Sequence, residues 1–243
     1  MKKIGFTLAE VLITLGIIGI VAAMTIPNLI VSNEKRTTLT RLKKTYSELM
    51  QVIRLAENEY GSGFSLCDAG TCDWDWANNK AAFEKYFLPY IKVARIYEKS
   101  DCNKLTTVYT VSGIKVEKPT LPCYQLMNGS TVAFGHSNKD GVTNVAFWVF
   151  PDTKPSRKSV MGRHLFFFTM FDEGAGSYAL GTTVRLRDKG MAREKLIKHC
   201  KASENMATIT IGGQSGVSIA APCTELIMRD GWIFSGDYPI KFK

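Results

Sequence analysis

The chain has 243 residues, 45% of them hydrophobic and 22% charged, and a net charge of +9. That balance is ordinary for a globular protein and excludes a disordered chain. Setting aside about 30 residues for the apolar N-terminal stretch leaves enough for one substantial domain and hardly enough for two.

The chain opens on Met1-Lys2-Lys3-Ile4, a short basic start, followed by Gly5-Phe6-Thr7-Leu8-Ala9-Glu10. An apolar run then continues to Ile26 and closes at Pro27. Between Phe6 and Ile26, Glu10 is the sole charged residue. A helix of that length spans roughly 30 Å, the thickness of a bilayer's hydrocarbon core. A plain signal anchor or a secretory signal peptide would suit the basic start. Neither explains a glutamate inside the apolar run, where a charge costs about 3 kcal/mol and marks function.

Gly5-Phe6, the Thr7-Leu8-Ala9-Glu10 that follows, the clean apolar helix and Pro27 together resemble the N-terminal signal of type IV pilins and type II secretion pseudopilins. The resemblance covers about the first 30 residues. It implies that residues 1–5 are a leader removed by a prepilin peptidase between Gly5 and Phe6. Phe6 becomes the new, N-methylated terminus. Residues 6–27 become the transmembrane and assembly half of a long helix. The implied partners are the peptidase-methyltransferase, other pilin or pseudopilin subunits, an inner-membrane assembly platform and membrane lipid. The implied location is the cytoplasmic membrane, with a single pass, the globular domain outside and a filament after assembly. Chemistry gives Glu10 its own reading. A carboxylate in lipid needs a cation or it protonates. Cleavage creates such a cation at Phe6 of a neighbouring subunit, and a buried pair of this kind serves register more than stability.

After Pro27 the helical pattern resumes. Leu39, Leu42, Tyr46, Leu49, Ile53, Ala56 and Tyr60 alternate steps of three and four, which predicts one amphipathic face over residues 28–60. Pro27 should kink the helix mildly, and Gly61-Ser62-Gly63 should end it. The expected fold is therefore α+β and pilin-like, with a long N-terminal helix packed on an antiparallel sheet. Residues 61–243 supply the exported globular domain. Phe64 to Trp76 reads as a surface loop carrying Cys67, Cys72 and three aspartates; its spacing lacks the pattern of a calcium loop. Residues 77–95 read as a second helix that Pro89 kinks or ends.

Strand signals dominate from there to residue 171. They are Thr106–Val111, Cys123–Leu126, Ser130–Phe134, Asn144–Phe150 and His164–Phe171, with Asn128-Gly129 as the hairpin turn. Pro151–Gly162 reads as a basic hairpin loop. In the tail, Met191–Cys200 reads as a short helix, Thr208–Ile211 as a strand and Gly212–Gly216 as a flexible run. Cys223-Thr224, Asp230-Gly231-Trp232 and Asp237-Tyr238-Pro239 resemble the ending of a set of bacterial prepilin-like proteins. In that set an acidic residue often stands where this chain has His164.

The six cysteines, Cys67, Cys72, Cys102, Cys123, Cys200 and Cys223, all follow the apolar stretch. An even number in an exported segment predicts disulfides. Pairing neighbours along the chain is the simplest of the possible connectivities. No Cys-x-x-Cys occurs and the three histidines stand apart from the cysteines, so no zinc site is expected. Nor is a cofactor or a catalytic residue: Gly213-Gln214-Ser215-Gly216 misses the nucleophile-elbow pattern by one position, and no phosphate-binding glycine loop is present. Two readings follow. One is a structural filament subunit. The other is a tip subunit whose domain binds DNA, a surface or a secreted substrate. The second draws on residues 154–201, where eleven Lys/Arg face four Asp/Glu. Phosphate binding of that kind would weaken steeply with salt.

Overall fold

The computed structural model describes residues 7–61, 64–66, 73–116, 120–139, 142–152, 158–172, 178–202, 208–211, 214–218 and 220–242. Helix α1 runs unbroken from Leu8 to Tyr60, with Gly61 as its C-cap and Pro27 inside it. The proline removes one helical hydrogen bond. Nearby, the Thr25 hydroxyl donates to the Val21 carbonyl at 2.9 Å and the Asn28 amide donates to that of Met24 at 3.5 Å. Only the second half of α1 is buried, through Thr38, Leu42, Thr45, Leu49, Val52, Ile53 and Ala56. The expected face is right in direction and too wide at its ends. Leu39 and Tyr46 lie at the rim of the interface, and Tyr60 is exposed.

Helix α2 spans Trp76–Tyr86 and a single 3-10 turn follows at Leu88–Tyr90. The predicted helix to residue 95 is therefore too long. Pro89 disfavours helical backbone at Leu88, and Val93–Ile96 is instead strand β1. Helix α3, Lys99–Leu105, has no forecast above, and Thr106, the start of the strand expected at Thr106–Val111, is its C-cap. Of that strand only β2, Val108–Tyr109, remains.

The main sheet holds β1, β3 (Cys123–Leu126), β4 (Thr131–Lys139), β5 (Val142–Phe150), β7 (Phe166–Asp172) and β8 (Tyr178–Gly181), in the order β1-β3-β4-β5-β7-β8. Every neighbouring pair is antiparallel. The short β6, Ser159–Val160, pairs in parallel with β2 inside the predicted 151–162 loop. Thr183–Arg187 forms α4, Arg193–Lys201 forms α5 and Ala220–Arg229 forms α6. Strands β9 (Thr208–Ile211) and β10 (Gln214–Ser218) make a separate hairpin. Gln214–Gly216, expected to be flexible, is thus part of a strand.

Aromatic rings fill the space between helices and sheet. Phe83 of α2 stacks on Tyr124 at 3.9 Å between centroids. Phe87 packs on Phe134 and Phe147, which lie side by side on β4 and β5. Each such pair adds about 1 kcal/mol beyond area burial. Burial holds the Tyr124 hydroxyl well above the usual tyrosine range. Among the described residues two disulfides pin the periphery: Cys102–Cys123 joins α3 to β3, and Cys200–Cys223 joins α5 to α6. Each closes a loop of just over twenty residues, worth about 3 kcal/mol in the chain-entropy model. Cys67 and Cys72 lie outside the described residues.

The turn before β7 is the tightest point of this periphery. Gly162 has φ +73°, and a Cβ there would come within 2.7 Å of Cys223 Sγ. Its carbonyl also accepts from the Tyr238 hydroxyl. Gly162→Ala combines left-handed backbone strain with overpacking, for about 3 kcal/mol in all. Thermal melts of the detergent-solubilised chain should show a clearly lowered Tm, with both disulfides retained.

Candidate functional site: the N-terminal helix and its collar

From Leu8 to Ile30 the large apolar side chains of α1 are between 42% and 78% exposed. The helix is long and apolar enough to cross a membrane, and none of the described residues buries its most apolar stretch. A soluble monomer rarely exposes an apolar surface of that size. Glu10 sits in the first turn. Its carboxylate Oε2 accepts from the Thr7 backbone N–H and from the Thr7 hydroxyl, both at 2.8 Å. The Glu10 backbone N–H donates in turn to Thr7 Oγ1 at 3.2 Å. This is a capping box, which satisfies helix-end donors where no water would be at hand. The helix dipole also favours a negative charge there. Gly5 and Phe6 lie outside the described residues. Thr7 was not singled out from the sequence, although Thr-x-x-Glu ahead of an apolar run is the signature of such a box.

Where α1 enters the domain it is gripped by a collar. Glu34 accepts from Arg163 Nη2 at 3.4 Å and lies 3.2 Å from His164 Nε2. His164 Nδ1 accepts from the Val160 N–H at 3.0 Å, so the network places the imidazole proton on Nε2, facing Glu34. His164 is not in strand β7 as expected. It closes the turn before β7, and its buried ring holds the turn against α1. The Arg163 guanidinium and the Lys35 ammonium both lie over the Phe242 ring, at 5.2 and 5.6 Å.

Farther up, the Asn128-Gly129 turn is not a free tip. The Asn128 amide donates to Thr45 Oγ1 at 3.0 Å and to Glu48 at 2.8 Å, and Thr45 donates to Ser130 Oγ at 3.0 Å. Burial raises the Glu48 carboxyl above its ordinary value, opposed by Lys44 and Asn128. The Asp-rich loop has a structural task as well. Asp75 caps α2 through Ala77 N at 2.7 Å, and Asp73 accepts from Asp75 N and from the Asn78 side chain. Asn79 Oδ1 then receives the His136 Nδ1 at 2.9 Å. Burial lowers the tendency of His136 to take a proton.

The tail explains its own motif. Trp232 N donates to Ile227 O and Gly231 N to Met228 O, with Gly231 at φ +78°. These are the two bonds of a Schellman motif, so Asp230-Gly231-Trp232 is the stop signal of α6. Arg193, at the first position of α5, grips the carboxylates on either side of the following loop. It reaches Asp230 at 2.8 and 2.9 Å, and Asp237 at 2.6 and 2.8 Å. Ser235 Oγ bridges to Asp230 at 2.8 Å. The two aspartates of the tail thus share one guanidinium in two-toothed contacts.

Two family models match the chain. Residues 1–26 match the prokaryotic N-terminal methylation motif. Residues 28–242 match a family of unknown function, DUF6613. The chain belongs to this family. Its N-terminal motif marks it as a type IV pilin-like or pseudopilin-like protein. No curated protein and no solved structure matches it. In this member of the family, the matched domain begins where α1 leaves its exposed half, and it contains the whole collar.

The clamp gives a pH prediction. The Arg193 contact holds the Asp230 carboxyl below its ordinary 3.8. A depressed carboxylate contributes stability that is fully present above 3.8 and is lost as pH falls through its lower, folded-state value. Asp230→Asn should lower Tm at pH 7. The gap from wild type should close below pH 3.8, as read from melts across pH 2 to 7. A gap independent of pH would assign the effect to shape rather than charge.

Proposed function

We propose that this chain is a structural filament subunit of a type IV pilus or of a pilus-like secretion assembly. In this reading it is cut after Gly5, methylated at Phe6 and polymerised through α1. The observation that carries it is the exposed apolar half of α1, with one carboxylate held at its N-terminal end. Both Thr7 bonds converge on Oε2 of that carboxylate, and Oε1 bonds to no described residue. An incoming amine from Phe6 of a neighbour fits that vacant side. The capping box meanwhile keeps the carboxylate satisfied while the subunit waits in lipid.

The basic surplus behind the binding-module reading is partly engaged within the chain. Several cations of the 154–201 surplus are engaged within the chain: Arg163 with Glu34, Arg193 with Asp230 and Asp237, and Lys195 with Asp188. A surface already paired in this way has less charge to offer nucleic acid.

Mass spectrometry of the mature protein should find a chain beginning at methylated Phe6. A chain beginning at Met1, or cut near Ala22-Ala23, would sink the reading. Glu10→Gln keeps the side chain's shape and removes its charge. This variant should be cleaved and folded normally, yet should co-purify with sheared filaments at least tenfold less than wild type. That is the weight of about 1.4 kcal/mol per subunit contact. Glu10→Leu should enter the membrane more readily and assemble no better. Equal incorporation of Glu10→Gln would make the carboxylate incidental.

A further inference from the structure

The base of the domain carries a surface that the filament reading leaves unused. A groove runs between α1 and the tail, lined by Ser32, Lys35, Arg36, Leu39, Trp232 and Ile233. Neither of its two cations is paired with an acid among the described residues, although the Lys35 ammonium lies 5.6 Å over the Phe242 ring. The neighbouring acid, Glu34, is occupied by Arg163 and His164. Neither Lys35 nor Arg36 forms an ion pair with a described residue. The apolar side of the groove is open too, with Ile233 53% exposed. Lys241, also exposed, adjoins Phe242, the ring under Lys35.

Position sets the occupant. Beyond Pro27 and Asn28 the apolar residues of α1 resume at Leu29, Ile30 and Val31, and Lys35 stands four residues after the last of them. Four residues of helix advance about 6 Å. The headgroup layer beyond the hydrocarbon core is roughly 5–8 Å deep on each side. Lys35 and Arg36 therefore stand at phosphate level when the preceding stretch fills the core. Lysine, arginine and tryptophan are the residues that settle at that level. Trp232 and Ile233 line the same groove, and the Trp232 ring also packs on Tyr46 at 5.1 Å.

We infer that this groove docks the domain onto the anionic phospholipids of the bilayer its own helix spans. The phosphates would lie against Lys35 and Arg36, and Trp232 and Ile233 would enter the interface. The inference rests on the membrane-subunit reading and adds a second contact to it. Docking fixes the tilt of the domain before assembly, and extraction into a filament must break it.

The test uses the full-length chain at one copy per nanodisc, with phospholipids brominated in their acyl chains near the glycerol. Tryptophan emission is compared between discs of phosphatidylcholine alone and discs containing phosphatidylglycerol. Quenching should be clearly stronger with phosphatidylglycerol. It should fall to the phosphatidylcholine level in Lys35→Gln/Arg36→Gln and in high salt. Each cation near a charged surface changes lipid affinity about fivefold, so the double variant should lose roughly 25-fold. Trp232→Phe should remove the lipid-dependent part of the quenching and leave the signal of the other tryptophans. Equal quenching in both lipids, or quenching unchanged in the double variant, would overturn the inference. So would a signal that appears only with several copies per disc, since the occupant would then be a second subunit. Processing of the double variant at Gly5 is scored in cells. Intact processing without lipid-dependent quenching refutes the docking alone, whereas failed processing of the wild type strikes the prepilin reading beneath it.

Discussion

Everything in this molecule depends on α1 staying continuous where its surroundings change. Its 53 residues reach about 80 Å. The first part is not buried by any other described residue, so its backbone must be satisfied within itself. The second part is the wall against which the domain folds. A helix broken at Pro27 would separate these tasks. It is not broken. Thr25 and Asn28 turn side-chain donors onto carbonyls close to the one the proline strands. Neither of these bonds reaches the Ala23 carbonyl, the one that loses its helical partner to the proline.

The same helix solves a problem of the sheet. Strand β8 is an edge, and edges invite pairing with other chains. Its outward groups are taken by α1. Tyr46 donates to the Leu180 carbonyl at 3.1 Å, Met50 sulfur accepts from the Leu180 N–H at 3.2 Å, and Glu57 accepts from the Tyr178 N–H. Residues at the rim of the hydrophobic stripe thus carry the polar half of the interface. This explains why Tyr46 and Met50 are only partly buried.

Much of this was legible in the sequence because α1 and the central strands obey simple periods. The apolar run, the three-four stripe from Leu39 and the strands around Asn128-Gly129 all follow from one-dimensional pattern. What escaped was decided by tertiary contact. Val93–Ile96 resembles the end of a helix, but the chain after α2 continues only as the single 3-10 turn that holds Pro89, and β3 offers the next segment a partner. Lys99–Leu105 is too short and polar to show a helical stripe, and its Cys102 anchors it instead. His164 belongs in a strand by composition. Gly162 at positive φ turns the chain just before it, and the ring is drawn to Glu34, 130 positions away in the sequence. Of the N-terminal site, Glu10 was conspicuous as a charge in an apolar run. Its partner Thr7 was hidden in plain view, because the capping pattern is common and gains meaning only when water is absent. The Arg193 clamp was not legible at all, since nothing local ties an arginine at the start of α5 to aspartates some forty residues later.

These long-range contacts share a geometric consequence. A helix laid on a sheet by an apolar stripe alone can slip along its axis by one turn, about 5.4 Å, and still bury similar side chains. Directional contacts spaced along α1 forbid that slip. Glu34 engages the turn at residues 163–164, Thr45 and Glu48 hold the β3–β4 turn, and Glu57 holds the start of β8. The tail locks the lowest of these points from the other side. Phe242 lies under Arg163 and Lys35, and Tyr238 is bonded to Gly162. Paired and buried polar groups are poor sources of net stability but good arbiters of register. Their distribution here sets the height of the domain above the apolar half of α1 to within a fraction of a turn. That height decides which groups of the domain face the membrane surface.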